Sequence, residues 1–188
     1  MRKLILIKHA KPQVEEDVPS HEWELSPEGR ESCKALAQFL SQHQPKVIVT
    51  SDEPKAIQTG SIVAEAMGIS TRIHDGLHEH DRSNVPMMQP REFISTMALF
   101  FKERRRLVLG RETAEDAVDR LEDTVEKLLH DEPEGNVAAV THGTVLALFC
   151  EGHGLGDGFQ LWRKMGLPSA AVFSVPDLKA LELVERIA

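Results

Sequence analysis

The chain has 188 residues, 41% of them hydrophobic, and a formal net charge of −8. This size and composition suit one domain with a substantial core and give no sign of disorder. The acidic balance argues against general nucleic-acid binding; no stretch approaches the roughly 20 apolar residues of a membrane span, and the apolar run after Arg2 and Lys3 is too short for a signal peptide, so a cytoplasmic protein is expected.

In chain order, the first element is a strand from about Lys3 to Lys8, an apolar run that stops at a cation and delivers His9 to its end. Ser26-Pro27-Glu28 opens a helix, with serine as cap and proline preset for the first turn. Ala35, Leu36, Phe39 and Leu40 continue it at helical spacing. A strand over Val47–Thr50 leads into a helix that opens near Asp52 to Pro54, carries Ile57, Ile62, Val63 and Met67, and ends at Gly68. A short strand follows at about Thr71 to His74. Residues 80–112 break the alternation: Pro86, Met87, Met88 and Pro90 precede an amphipathic stretch with Phe93, Ile94, Met97, Phe100 and Phe101. This reads as an insertion packed over the sheet edge and covering the active site. Thr113 and Asp116 then form a capping-box-like start to a helix whose stripe is Val118, Leu121, Val125, Leu128 and Leu129. A strand ends at His142, a helix begins near Thr144, and strands are expected near Ala171–Val175 and Ala180–Val184. Cys33 and Cys150 fall in helical segments and read as small core residues, not a disulfide framework. The alternation predicts an α/β fold: one domain, 1–188, built as a three-layer sandwich with a mostly parallel central sheet flanked by helices.

In such sheets ligands bind at the carboxyl ends of the strands. Four segments converge there: Lys8-His9, Ser51 to Lys55, Leu77-His78-Glu79, and Thr141-His142-Gly143. Two histidines, two lysines and a glutamate make a kit for phosphoryl transfer, in which a neutral imidazole attacks phosphorus, cations hold the phosphoryl oxygens and a carboxylic acid protonates the departing alkoxide. His78 and His80 lack a third ligand in sequence, so no metal site is expected. The Lys102–Arg106 run reads as a solvated helix end.

These residues resemble the histidine phosphatase superfamily, the phosphoglycerate-mutase-like fold. The family's Arg-His-Gly stands here as Lys8-His9-Ala10. Its Ser-x-x-x-Arg-Ala-x-Gln-Thr element is Ser51-Asp-Glu-Pro-Lys55-Ala-Ile-Gln58-Thr59, its Leu-x-Glu is Leu77-His78-Glu79, and its Ser/Thr-His-Gly is Thr141-His142-Gly143. Leu25-Ser-Pro-Glu-Gly29 resembles the Leu-Thr-x-x-Gly that opens the family's first helix. The resemblance implies that His9 is transiently phosphorylated, that His142 hydrogen-bonds the phosphoryl group and that Glu79 is the proton donor. It places Lys8, Lys55, Ser51 and Gly143 around the phosphate, and it implies a phosphatase acting on a small-molecule phosphomonoester with no metal or organic cofactor and no nucleic-acid or membrane partner. Oligomeric state is left open. The departure is that both signature arginines are lysines, which keep the charge and lose the planar fork. One lost bidentate contact costs about 1.5–3 kcal/mol, roughly ten- to a hundredfold in rate. Two alternatives follow: a non-catalytic phospholigand-binding protein of the same fold, and a phosphoglycerate-type mutase, disfavoured because family mutases are commonly longer.

Overall fold

The computed structural model describes all 188 residues, Met1–Ala188. Its strands are β1 (Arg2–Lys8), β2 (Pro45–Thr50), β3 (Ser70–Ile73), β4 (Asn136–Thr141), β5 (Ser169–Val175) and β6 (Ala180–Val184). The helices are α1 (Pro27–His43), α2 (Pro54–Met67), α3 (Pro90–Lys102), α4 (Ala114–Asp131), α5 (Gly143–Gly152) and α6 (Gly158–Lys164). One sheet has the order β3-β2-β4-β1-β5-β6. Its first four strands are mutually parallel, and β5 and β6 close the far side antiparallel.

Side-chain alternation sends successive residues of β1 to opposite faces. Leu4 and Leu6 join a cluster built on α3, α4, α5 and α6, while Ile5 and Ile7 join one built on α1 and α2. All four are fully buried, which at about 1.5–3 kcal/mol per side chain makes this short strand a major contributor to stability. The caps match the sequence: Ser26 accepts from the Gly29 amide at 3.0 Å, and Thr113 with Asp116 forms a reciprocal capping box.

Two differences from the sequence reading have physical causes. The 80–112 segment carries α3, whose Met97, Phe100 and Phe101 are buried in the larger cluster and which packs against α6, a partner the sequence did not indicate. An amphipathic stripe reports that a face is buried and not which element buries it. α6 was not foreseen, because at seven residues, with Leu161 as its one buried side chain besides Gly158, it is too short to show a period.

Candidate active site

Register builds the site. Lys8 pairs with Thr141 and Thr50 with Val140 across the parallel strands. The next residues, His9, Ser51 and His142, therefore leave the sheet side by side, tied by His9 N to Thr141 O (3.1 Å) and Ser51 N to Val140 O (2.9 Å). The rings of His9 and His142 lie 5.1 Å apart, centroid to centroid. His9 is 6% exposed and His142 wholly buried.

Nδ1 of His9 lies 2.7 Å from the Ala10 carbonyl, so that nitrogen donates and Nε2 keeps its lone pair. Burial, then the charges of His142, Lys55 and Lys8, hold this ring well below the ordinary histidine pKa, with the Ala10 bond opposing. Burial first and Lys55 next do the same to His142, against the pull of Glu79. Nε2 of His142 meets Ser51 Oγ at 2.8 Å and Glu53 Oε1 at 3.3 Å, while Nδ1 is buried without a partner.

Glu79 sits over the N-terminus of α5. Its Oε2 accepts from the Thr144 amide at 3.0 Å, and its Oε1 accepts from the amides of His80 at 2.9 Å and Val145 at 3.3 Å. Burial alone would raise its pKa, but Arg82, His142 and the amides of Thr144 and His80 outweigh it, and the carboxyl is held well below the usual carboxylate range. The loop that presents it is pinned twice. Thr141 Oγ1 donates to the Leu77 carbonyl at 2.7 Å, and Arg120 donates to the carbonyls of Gly76, His78 and Glu79 at 2.8, 3.0 and 3.3 Å while pairing with Glu112 at 2.7 Å. His78 and His80 turn a ring nitrogen to the carbonyls of Glu79 and Glu112 respectively.

The two lysines are both tethered. Lys8 Nζ donates to the Met165 carbonyl at 2.8 Å, and Lys55 Nζ donates to the Ser20 carbonyl at 2.7 Å and forms an ion pair with Glu53. An ammonium has three protons, so two remain on Lys8 and one on Lys55 for another acceptor. Burial brings Lys8 down to about 8, with Glu79 opposing and Arg186 adding to the shift. Gly143 lies against Lys8: a Cβ there would come within 2.9 Å of Lys8 Cε and 3.3 Å of Nζ. Gly143→Ala is therefore expected to push the ammonium aside and raise KM for a phosphomonoester about tenfold, more than it lowers kcat, as steady-state kinetics would show.

Of the residues picked from sequence, His9, Glu79, His142, Ser51 and Gly143 meet at the strand ends with Lys8 and Lys55 beside them. Ser51 reaches the site through His142, its hydroxyl lying on that ring. The Gln58-Thr59 pair is scaffolding: Gln58 Oε1 accepts from the Leu25 amide at 2.8 Å, and Thr59 Oγ1 accepts from the Ala10 amide at 3.0 Å. Gly29 admits the loop after β1, since a Cβ there would lie 2.1 Å from the Lys11 carbonyl oxygen. Glu53 and Arg120 were missed. Neither left a signal in the sequence: Glu53 meets the Glu79 amide and His142, far along the chain, and the carbonyls that Arg120 holds lie some forty residues from it.

With this geometry in place, comparison with known proteins decides the family. The model of the histidine phosphatase superfamily (branch 1) matches residues 4–176. The chain belongs to the histidine phosphatase superfamily. Human and Macaca fascicularis 6-phosphofructo-2-kinase/fructose-2,6-bisphosphatase 4 are each 35% identical to this superfamily member over 130 residues, 65% of this chain. The match spans 26% of the length of those relatives. Among solved structures, Bacillus stearothermophilus YhfR superposes with a TM-score of 0.77 at 21% identity, covering 98% of this chain and 96% of that one. A mycobacterial glucosyl-3-phosphoglycerate phosphatase bound to inorganic phosphate gives 0.74 at 22% identity, with 97% and 95% coverage. A histidine-to-alanine mutant of Entamoeba histolytica phosphoserine phosphatase in complex with phosphoserine gives 0.76 at 14% identity, with 100% and 99% coverage. At these identities the structures show that this chain shares their fold. No helix of the protein is long and apolar enough to cross a membrane.

Proposed function

We propose that this protein is a phosphatase that hydrolyses a small-molecule phosphomonoester through a phosphohistidine on His9. The observation that carries the reading is the placing of the His9 ring, its Nδ1 spent on the Ala10 carbonyl, its Nε2 left for phosphorus, and a second buried histidine 5.1 Å away. The phosphatases among the structural neighbours, one solved with inorganic phosphate and one with phosphoserine, support it.

In the first step His9 Nε2 bonds to phosphorus as the ester P–O bond breaks, and Glu79 protonates the departing oxygen. In the second, Glu79 takes a proton from water, the water oxygen bonds to phosphorus and the P–N bond breaks. Glu79 is ionised in the free site, so it must gain a proton when substrate binds; the approaching phosphoryl anion raises a nearby carboxyl's pKa and favours that gain. Lys8, Lys55, His142, Ser51 and Gly143 form the phosphoryl pocket. Residues 80–112 start one position after Glu79 and bring Arg82 to the site, and we assign this segment the cover that selects the rest of the substrate. The reaction calls on no metal or organic cofactor, and the site is assigned no nucleic-acid or membrane partner.

The binding-only alternative draws on the tethering of both lysines, which leaves fewer free donors than two arginines would. Screening phosphometabolites and a generic aryl phosphate for phosphate release tests the two together: turnover is expected, and tight binding without turnover across the panel would replace this reading with the binder. Isomerisation of 3-phosphoglycerate without phosphate release would indicate a mutase.

Lysine makes the pocket sensitive to pH in a way arginine would not. Protonated Lys8 attracts the phosphoryl group, and its pKa near 8 means that rising pH removes this charge. kcat/KM is expected to fall on an alkaline limb near pH 8, and Lys8→Arg should abolish that limb in a pH–rate profile.

A further inference from the structure

Glu53 has no counterpart among the residues assigned so far, yet it touches most of them. Its side chain is 9% exposed, at the N-cap of α2. Oε1 accepts from the Glu79 amide at 2.9 Å and lies 3.3 Å from His142 Nε2, and Oε2 pairs with Lys55. The Glu53 amide in turn donates to Ser51 Oγ at 3.2 Å, the hydroxyl that meets the same His142 nitrogen.

A carboxylate beside Nε2 repels a lone pair and attracts a proton. The neutral His142 ring therefore carries its hydrogen on Nε2, toward Glu53 and Ser51, and Nδ1 is bare. That nitrogen is fully buried and has no partner in the protein. An ionised phosphoryl oxygen only accepts, so a bare Nδ1 cannot bind it; a protonated one can. We propose that Glu53 is a positioning residue that lets His142 take up a second proton and donate it to a bound phosphoryl group through Nδ1.

This rests on the reading of the site as a phosphoryl pocket. The proton comes from solvent, and His142 becomes an imidazolium held between two anions, the carboxylate on Nε2 and the phosphoryl group on Nδ1. Without the ligand the balance is the reverse, since burial and Lys55 keep the ring neutral. The charged and titratable groups facing the pair are Lys55 on α2, His9 at the end of β1, and His78, Glu79 and Arg82 in the loop after β3; Lys8 faces Glu79 and His9. Of the carboxylates, Glu53 alone lies within ion-pair distance of His142 Nε2.

Titrating inorganic phosphate into the intact protein at pH 8, by calorimetry in buffers of different ionisation enthalpy, counts the protons taken up. Wild type is expected to take up about one proton more than Glu53→Gln. With its oxygen kept on Lys55, the carboxamide turns its NH2 to Nε2 and gives up the bond from the Glu79 amide, which fixes the neutral ring with its hydrogen on Nδ1, ready to bind phosphate without uptake. Contributions from Lys8, from Glu79 and from phosphate itself are common to both proteins and cancel in the difference. Equal uptake would overturn the proposal. Should Glu53→Gln fail to fold, the ¹⁵N shifts of His142 in wild type decide: both ring nitrogens protonated in the phosphate complex is expected, and a neutral ring overturns it. Turnover lost in His9→Ala together with equal uptake would sink the Glu53 assignment and leave the phosphatase standing. Absence of both turnover and phosphate binding would sink both.

Discussion

His9→Ala is expected to lower turnover of any phosphomonoester that the wild type hydrolyses by at least about 10⁴-fold, because it removes the atom that bonds to phosphorus. The cations, His142 and the backbone amides remain, so binding of inorganic phosphate should survive within a few-fold. The fold should survive too: His9 follows the last residue of β1 and contributes one side-chain bond, to its neighbour's carbonyl. kcat, KM and phosphate affinity measured side by side separate this from a structural role. Comparable losses of affinity and rate would mean that the ring packs the site and does not attack.

The second large effect is expected at Glu79 and depends on the substrate. Glu79→Gln cannot deliver a proton, and general acid catalysis contributes typically about 10²–10⁴-fold. An alkoxide leaving group needs that proton; the anion of an acidic phenol does not. Glu79→Gln should therefore lose about 10²-fold or more on an alkyl phosphate and much less on an aryl phosphate with an acidic phenol. The substitution also places a carboxamide where three backbone amides converge, and one of its atoms is a donor that those amides repel. That defect would slow both substrates alike, so the ratio between them is the diagnostic. A uniform loss would assign Glu79 to holding the start of α5, and the proton would have to come from elsewhere.

The sequence exposed those features of the fold and site that local pattern determines. β1 and β4 read as buried strands ending in histidine, and parallel pairing then leaves little freedom: once Lys8 aligns with Thr141, His9 and His142 must be neighbours. The caps at Ser26 and Thr113 were legible because capping chemistry acts within three residues. Contacts between distant segments left no such trace. Arg120 stands beside the apolar stripe of α4 like any solvated residue, and only the fold brings three loop carbonyls to it. Glu53 reads as an ordinary acidic residue at a helix start, and its meeting with His142 needs the sheet to bring residues 53 and 142 together. The same gap concealed how the lysines are held. Their register pointed to the pocket, but the Met165 and Ser20 carbonyls that tether them come from elements with no sequence relation to either motif.

These tethers also change the meaning of the arginine-to-lysine replacements. Lys8 runs along Gly143 to the Met165 carbonyl, and Lys55 is 6% exposed with Glu53 as its counter-ion. Each ammonium is thus fixed by the protein before any ligand arrives, which recovers in preorganisation part of what the planar fork would have supplied.

The central claim is a covalent one and has a direct test. Wild-type protein mixed with a substrate it turns over, quenched rapidly in alkali and mapped by mass spectrometry, should carry a phosphoryl group on His9 and on no other residue, and His9→Ala should carry none. Steady turnover with His9 unmodified at every quench time, or with the phosphoryl group found on another residue, would contradict it.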